Sequence, residues 1–462
     1  MVAKFSSRTQ SRARQAIRNF LCRYVRDRRG NIAAIAALLI VPLVGVMGMA
    51  TEASSWFLVQ RGMQNAADSA VVAAGQNAMI NTSGTTYITE GRSVTTKLGF
   101  TNGANDTTVN VTKSEACPAP LTGSNCYKVV INRNVPIYMT RLVGYTGTVA
   151  MGTGRGQTVA ATAIAGPINT PVTNCIFTKG TGSESYRVNG AGGGSIDLNG
   201  CNIQSNGGAE CNGSNADGNV NHFFVVGTNK DCGPGSSATA LTDPYLSIYP
   251  RTNIPADTCG SAAASYPQAP TKNKDPELPS SNLLSGTVNI AKQFCGDVKL
   301  TGNVTASSGG TMVIQNGSLD LAGHTLQGTG ITIIFAGPTV PSLSPGHRPP
   351  QDGTLDIAAP KSGTWSGVAI YQDPNITSNV DWSSSGIALN WNVTGLIYMP
   401  NSDISFKGNI NKATGGENCF TMVAKTVLFS GTVDINETQT GCDLAGLTTL
   451  PTSYLPRISL VQ

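Results

Sequence analysis

From Ile32 to Ala50 the chain carries no charged residue, and the run is bounded by Arg29 on one side and Glu52 on the other. At about 1.5 Å rise per residue it approaches the roughly 30 Å hydrocarbon thickness of a bilayer, which predicts a membrane-spanning helix over residues 30–51. Pro42, Gly45 and Gly48 fit such a helix, since both residue types are commoner in lipid than in aqueous helices. Beyond the run the pattern becomes one-sided. Trp56, Val59, Met63, Ala66, Ala67, Ala70, Val71 and Ala74 follow one helical stripe, with Gln60, Arg61, Gln64, Asn65 and Asp68 on the other side and no proline from Glu52 to Met79. One continuous helix is expected. Further on, Thr107 to Thr112, Tyr127 to Asn132 and Val159 to Ala165 alternate as strands do, and Tyr138 to Tyr145 reads as a helical turn. Residues 52–166 are therefore expected to form a long helix with a small α/β cap.

From about residue 167 the texture changes to glycine-punctuated repeats. Gly194-Ser195-Ile196-Asp197-Leu198-Asn199-Gly200 matches Gly317-Ser318-Leu319-Asp320-Leu321-Ala322-Gly323, and the match runs on to Gln204 and Gln327. Shorter copies begin at Gly286, Gly353 and Gly431. A glycine turn, an inward apolar residue, an outward polar one and a second inward apolar one suit a coil of a parallel β-helix. The fold class is thus α+β: a membrane helix, an α/β cap, then an all-β domain over 167–462. A right-handed parallel β-helix is the expectation for that domain, with a β-sandwich or jelly roll as the alternative. The Pro/Gly-rich stretches Tyr266 to Pro279 and Gly337 to Gly353 are expected as loops leaving the coil.

Charge adds a topology. The formal net charge is +5, but residues 1–29 hold nine basic residues against Asp27 alone, a net of +8, which leaves 22 basic and 25 acidic residues, net −3, in the rest. Arg23, Arg26, Arg28 and Arg29 crowd one flank of the apolar run, so the tail is expected in the cytoplasm and the bulk of the chain across the membrane. A cleaved signal peptide would want a shorter core and a better cleavage site than Gly48-Met49-Ala50. Within the tail, Ile17, Phe20, Leu21 and Tyr24 recur at helical spacing, which suits a helix lying along an anionic leaflet. Since topology accounts for the arginines, no nucleic-acid partner is expected.

Cysteine usage agrees with export. Only Cys22 precedes the span; the other ten, Cys117, Cys126, Cys175, Cys201, Cys211, Cys232, Cys259, Cys295, Cys419 and Cys442, form an even set with no C-x-x-C. Proximity along the chain suggests joining them in consecutive pairs.

The apolar run feeding an amphipathic helix has the general design of a type IV pilin or pseudopilin stalk. Gly30-Asn31-Ile32-Ala33, followed by Gln60-Arg61-Gly62-Met63-Gln64-Asn65-Ala66-Ala67-Asp68-Ser69-Ala70, resembles the N-terminal region of TadG-like proteins of the bacterial tight-adherence (Flp) pilus assembly systems. That resemblance implies a pseudopilin-like component in the inner membrane, single-pass, whose partners are other pilus components met through the N-terminal helix. Many relatives have an acidic residue just after the span, where Glu52 stands here. Some end in a von Willebrand A domain, but Asp381-Trp382-Ser383-Ser384-Ser385 lacks a buried strand before it and reads as coincidence. A peptidase-processed pseudopilin would have Glu at the fifth position after Gly30, where this chain has Ile35.

Catalytic chemistry is not expected, nor is a cofactor or metal. His222, His324 and His347 are the three histidines, none at metal-ligand spacing, and neither H-E-x-x-H nor G-x-S-x-G occurs. Asp197, Asp320, Asp356 and Asp434 recur one per repeat, whereas glycan cleavage needs paired acids. The expected function is a non-catalytic envelope protein whose β-rich ectodomain makes protein or surface contacts in adhesion. The alternative is a tethered β-helix that binds or cleaves polysaccharide, with Trp365, Tyr371, Trp382, Trp391 and Tyr398 as a stacking platform for a surface glycan.

Overall fold

The computed structural model describes residues 30–81, 84–121, 123–152, 154–189, 196–213, 220–270, 275–337, 353–382, 389–406, 409–411, 418–430, 432–436 and 439–461. The chain divides into two compact units, Met1–Thr170 with Pro456–Gln462, and Pro171–Leu455.

The first unit opens with α1 (Gly30–Ile80), a single helix that includes Pro42. An 18-residue window of it has a mean hydropathy of 1.5 and is only 6% buried, as a segment meant for lipid would be. Next come α2 (Thr86–Lys97), β1 (Thr107–Glu115), β2 (Cys126–Pro136), a 3₁₀ turn at Thr140–Val143, β3 (Val149–Met151) and β4 (Gly154–Thr173). Strands β1, β2 and β4 are antiparallel neighbours, β3 pairs β4, and the terminal strand Thr452–Leu460 completes the sheet beside β4. The β1 burial pattern alternates at Thr107–Val111, so Val109 and Val111 face inward. They join Val129, Ile131, Ala161 and Ala163 in a core whose other wall is the second half of α1. The last residues, which the sequence pattern groups with the repeats, return to this sheet because Ile458 packs into the same core.

The second unit is predominantly β. Every pairing in its 22-stranded sheet, among the described residues, is parallel. The stacking order is not the chain order. Ile176–Thr178 lies between Asn202–Ser205 and Phe420–Phe429, so the first strand of the unit pairs with one of its last. On one side the ladder continues to His222–Val225 and Gly235–Ser237. On the other it runs through Leu389–Phe406, Val368–Gln372, Ile331–Ala336 and Gly310–Gln315 to Gln293–Cys295. The segment 238–282 connects the two extremes and is tied to successive strands on the way. Leu241 N–H donates to Asn206 Oδ1, the Tyr371 hydroxyl to the Tyr249 carbonyl, Thr258 N–H to Gln293 Oε1, and Ala269 N–H to Asp297 Oδ2. Tyr266 is buried within this strap instead of leaving it as a free loop; residues 338–352 lie outside the described set.

Two cores flank the ladder. Inside, Leu326, Leu355, Trp391, Ile397 and Met422 belong to one buried cluster. Outside, Tyr245 and Tyr249 of the strap pack with Ile334, Tyr371 and Tyr398. Ile331–Ala336 and Val368–Gln372 are therefore buried on both faces, and their sequences are largely apolar, broken only by Thr332 and Gln372, where a half-exposed strand would alternate. The short repeats are in true register at two places: Leu355 stands next to Trp391, Trp391 next to Ile410, and Ile410 next to Val433. The longer match is not structural. Ile196 continues the Val433 column, and the residue in that column from the second copy is Leu326, which the repeat would align with Ile203 in the other part of the ladder.

Candidate functional site

The candidate site is the surface of α1 and what the fold does with it. Met63, Ala66, Ala67, Ala70, Val71 and Ala74 are each 0% exposed, packed on the inner face of the sheet. Alanine is the best helix former and carries no bulk, so the stripe favours the helix and lets the strands approach closely. Gly75 takes this furthest: a Cβ there would lie 2.8 Å from Ile458 Cγ2 and 3.2 Å from Tyr127 Cδ2. Among the polar members of the motif, Gln64 joins helix to sheet. Gln64 Nε2 donates to Asp68 Oδ1 at 2.8 Å and to the Thr162 carbonyl of β4 at 3.0 Å, tying the helix to the sheet. Asn65 is exposed.

Nearer the apolar run, Glu52 is 9% exposed, and its two carboxylate oxygens accept separate backbone N–H bonds, from Tyr138 at 2.6 Å and Thr140 at 2.7 Å. Thr140 opens the 3₁₀ turn Thr140–Val143, whose first N–H groups have no partner within the turn. Burial pushes the Glu52 pKa up, but the N–H groups of Thr140 and Tyr138 outweigh it and hold the carboxyl below its ordinary value. The acid after the span thus latches a loop of its own cap onto the helix. Trp56 one turn on contacts the Tyr145 ring, centroids 6.1 Å apart.

Residues 30–77 match the family model for putative Flp pilus-assembly TadE/G-like proteins. The TadE/G-like segment coincides almost residue for residue with α1, Gly30–Ile80. No curated protein and no solved structure matches the chain. The TadE/G-like domain supports a role in pilus assembly, and its apolar helix fits a single-pass membrane protein.

Of the residues singled out from sequence, the fold brings Gln64 and Asp68 together and buries Ala66 beneath the sheet. Gly30 and Asn31 open α1. Arg23, Arg26, Arg28 and Arg29 lie outside the described residues, as do Ile17, Phe20, Leu21 and Tyr24. The disulfides are Cys117–Cys126, Cys175–Cys201, Cys211–Cys232, Cys259–Cys295 and Cys419–Cys442, the consecutive pairs that proximity suggests.

The aromatic residues divide. Trp365, Tyr371 and Tyr398 are buried beside the strap, Trp391 is buried inside the ladder against Phe406, and the Trp382 side chain lies outside what is described. None of those four presents a face to solvent on which a sugar ring could stack. Of the aspartates, Asp356 accepts a hydrogen bond from Asn392 Nδ2 at 2.8 Å, and Asp320 is in register with Lys299. Asp434 and Asp197 are in-register positions on adjacent strands. Among the described residues no three His, Cys, Asp or Glu side chains are grouped to hold a metal.

What sequence reasoning missed is the charge work under the strap. Asp243 accepts from Lys179 Nζ at 2.9 Å, from the Tyr398 hydroxyl at 2.9 Å and from Tyr245 N–H at 3.0 Å. Burial, with Asp243 beside it, drives the Tyr398 phenol well above its ordinary pKa. Arg251 Nε reaches both oxygens of Asp373 at 2.8 and 2.9 Å. Tyr398 lies 155 residues from Asp243 and Asp373 lies 122 from Arg251, and no local pattern pairs them.

Proposed function

We propose that this protein is a membrane-anchored, non-catalytic component of bacterial Tad/Flp pilus assembly. The basic tail stays in the cytoplasm, α1 crosses the inner membrane, and both folded units stand on the far side, where the β-rich unit makes protein or surface contacts in adhesion. The match of residues 30–77 to the TadE/G-like family carries this reading. Five disulfides support export, since such bonds persist in oxidising compartments. The second unit is read as a right-handed parallel β-helix, supported by ladder pairings that are parallel throughout and by the chirality of parallel crossovers. Its role is mechanical: a disulfide-pinned ladder keeps its shape while load passes to the membrane helix.

One feature of α1 narrows how pilus partners are met. Because the alanine stripe is consumed by the protein's own sheet, contacts with neighbouring pilin-like helices fall on exposed positions of α1 beyond the apolar run, Phe57 and Leu58 among them. The test is genetic and visual. Deleting the gene should abolish or sharply reduce Flp pili in electron micrographs and surface attachment with them, and the full chain should restore both. Normal piliation and normal attachment in the deletion strain would refute the proposal.

A further inference from the structure

The loop 137–145 carries the most exposed apolar side chains in the first unit outside α1. Tyr138 is 70% exposed, Met139 49% and Val143 50%, while Ile137 just before them and Thr140 among them are buried. Such a cluster facing water is unusual unless it is a contact surface. Its position says what it contacts. A Cβ on Gly48 would lie 3.0 Å from Met139 Cβ, and one on Gly45 would lie 3.6 Å from Val143 Cγ1, so the loop is packed on α1 at these two glycines. Both lie within the uncharged run that ends at Ala50. At about 1.5 Å per residue Gly48 is about 3 Å, and Gly45 about 7 Å, inside the end of that run. The run barely reaches the roughly 30 Å of a hydrocarbon core, so it has no spare length with which to lift Gly45 into water.

We propose that the 137–145 loop is a second membrane element, seated in the lipid interface beside the span, with Tyr138, Met139 and Val143 in contact with phospholipid. The inference rests on α1 crossing the bilayer and adds that the cap enters the same leaflet. Lipid is the occupant because the loop is continuous with the lipid-facing surface of α1, where Leu43, Val44, Val46 and Met47 are all exposed. Residue chemistry agrees. Tyrosine is enriched at the membrane–water boundary because its ring is apolar and its hydroxyl is wet. Arg141, exposed in the same turn, is placed to meet lipid phosphates. The Glu52 latch explains how an irregular segment survives there: the N–H groups of Tyr138 and Thr140 are satisfied by the helix before the loop meets lipid. The glycines at 45 and 48 let the Val143 and Met139 side chains come close. Held in this way, the cap would have a fixed distance and tilt relative to the membrane, which a single helix does not provide.

The test uses the full chain in a Cys22→Ser background, reconstituted in vesicles of phosphatidylcholine and phosphatidylglycerol, with a nitroxide attached at Val143→Cys and, separately, at Tyr138→Cys. Both side chains are exposed, so the labels leave the core untouched. A nitroxide at Val44→Cys reports the span itself. The expected result is that collisions with lipid-soluble oxygen exceed those with a water-soluble nickel chelate several-fold at 143 and 138, as they do at 44. Oxygen dominance at 44 with nickel dominance at 143 and 138 overturns the loop proposal and leaves the span intact. Nickel dominance at all three sites overturns the spanning helix as well. Low access for both reagents at 143 and 138 means that protein covers the loop, and this too overturns a lipid contact.

Discussion

Glu52 combines a charge, a helix and a loop in one side chain. Replacing it by alanine leaves two buried N–H groups, those of Tyr138 and Thr140, without their acceptor. The expected cost is about 1–3 kcal/mol, read as a lowered midpoint of thermal unfolding of the first unit, with Glu52→Gln losing less because it keeps one acceptor oxygen. The pH dependence has a definite sign. Since the folded pKa lies below the ordinary carboxylate value, the contribution is fully present above that value and is lost as pH falls through it towards the folded pKa. Comparing wild type with Glu52→Gln across that window isolates the effect, because the amide does not titrate. At this scale the sequence was informative about residue type and silent about partner. An acid after an apolar run is visible in one dimension, but the residues that receive it lie 86 and 88 positions away. His222 behaves likewise: nothing around it in sequence reveals that burial lowers its pKa or that Ser236 Oγ lies 2.9 Å from Nε2.

Elements were more legible, to the extent that their periodicity is local. The helix from 30 to 80 follows from an apolar run joined to a helical stripe, because both patterns are fixed by the backbone repeat. The same stripe explains why bulk is excluded. Ala70→Leu forces extra methylenes into the gap under the sheet and should cost about 1–3 kcal/mol, measurable by chemical denaturation, whereas a change at exposed Asn65 should cost little. The strap is the opposite case. Residues 238–282 show no strong period, yet they hold the outer face of the ladder through side chains that find partners only in the folded state. Arg251→Ala removes the guanidinium from Asp373, whose side chain is 1% exposed, while Arg251 itself is about half exposed. The solvent on the arginine side softens the loss, so about 1–2 kcal/mol is expected by thermal unfolding, below the full penalty of a buried unpaired charge. The eleven-residue repeat misled because glycine-bounded turns resemble one another wherever in the unit they occur. The pattern G-x-Φ-x-Φ marks a bend into a strand, and it does not say which part of the ladder that strand joins.

For the whole molecule, the decisive matter is how the second unit closes. The strand at Ile176–Thr178 completes a ladder whose next member is Phe420–Phe429, and Asn174 is hydrogen-bonded to Pro451 and Ser453 where the chain enters and leaves. The two ends of the unit are therefore stitched together, and its interior should unfold as one cooperative body. Trp391→Ala, which empties a fully buried place inside the ladder, should cost about 3–5 kcal/mol and lower the unfolding midpoint of the unit as a single transition in calorimetry. It follows that loss of any surface binding on this substitution would report unfolding, not a missing sugar contact. By itself, the sequence determined the apolar run, the charge segregation, the long helix and the TadE/G-like motif, because each is a property of residues near one another in the chain, while proximity only suggested how the cysteines pair. Only the tertiary structure decided that the alanine stripe is buried by the protein's own sheet, that Glu52 latches the loop at Tyr138 and Thr140, and that the ladder is stacked out of chain order under a strap. Those outcomes depend on contacts between distant segments, whose closure is set by shape and burial over the whole fold and leaves no local periodic trace.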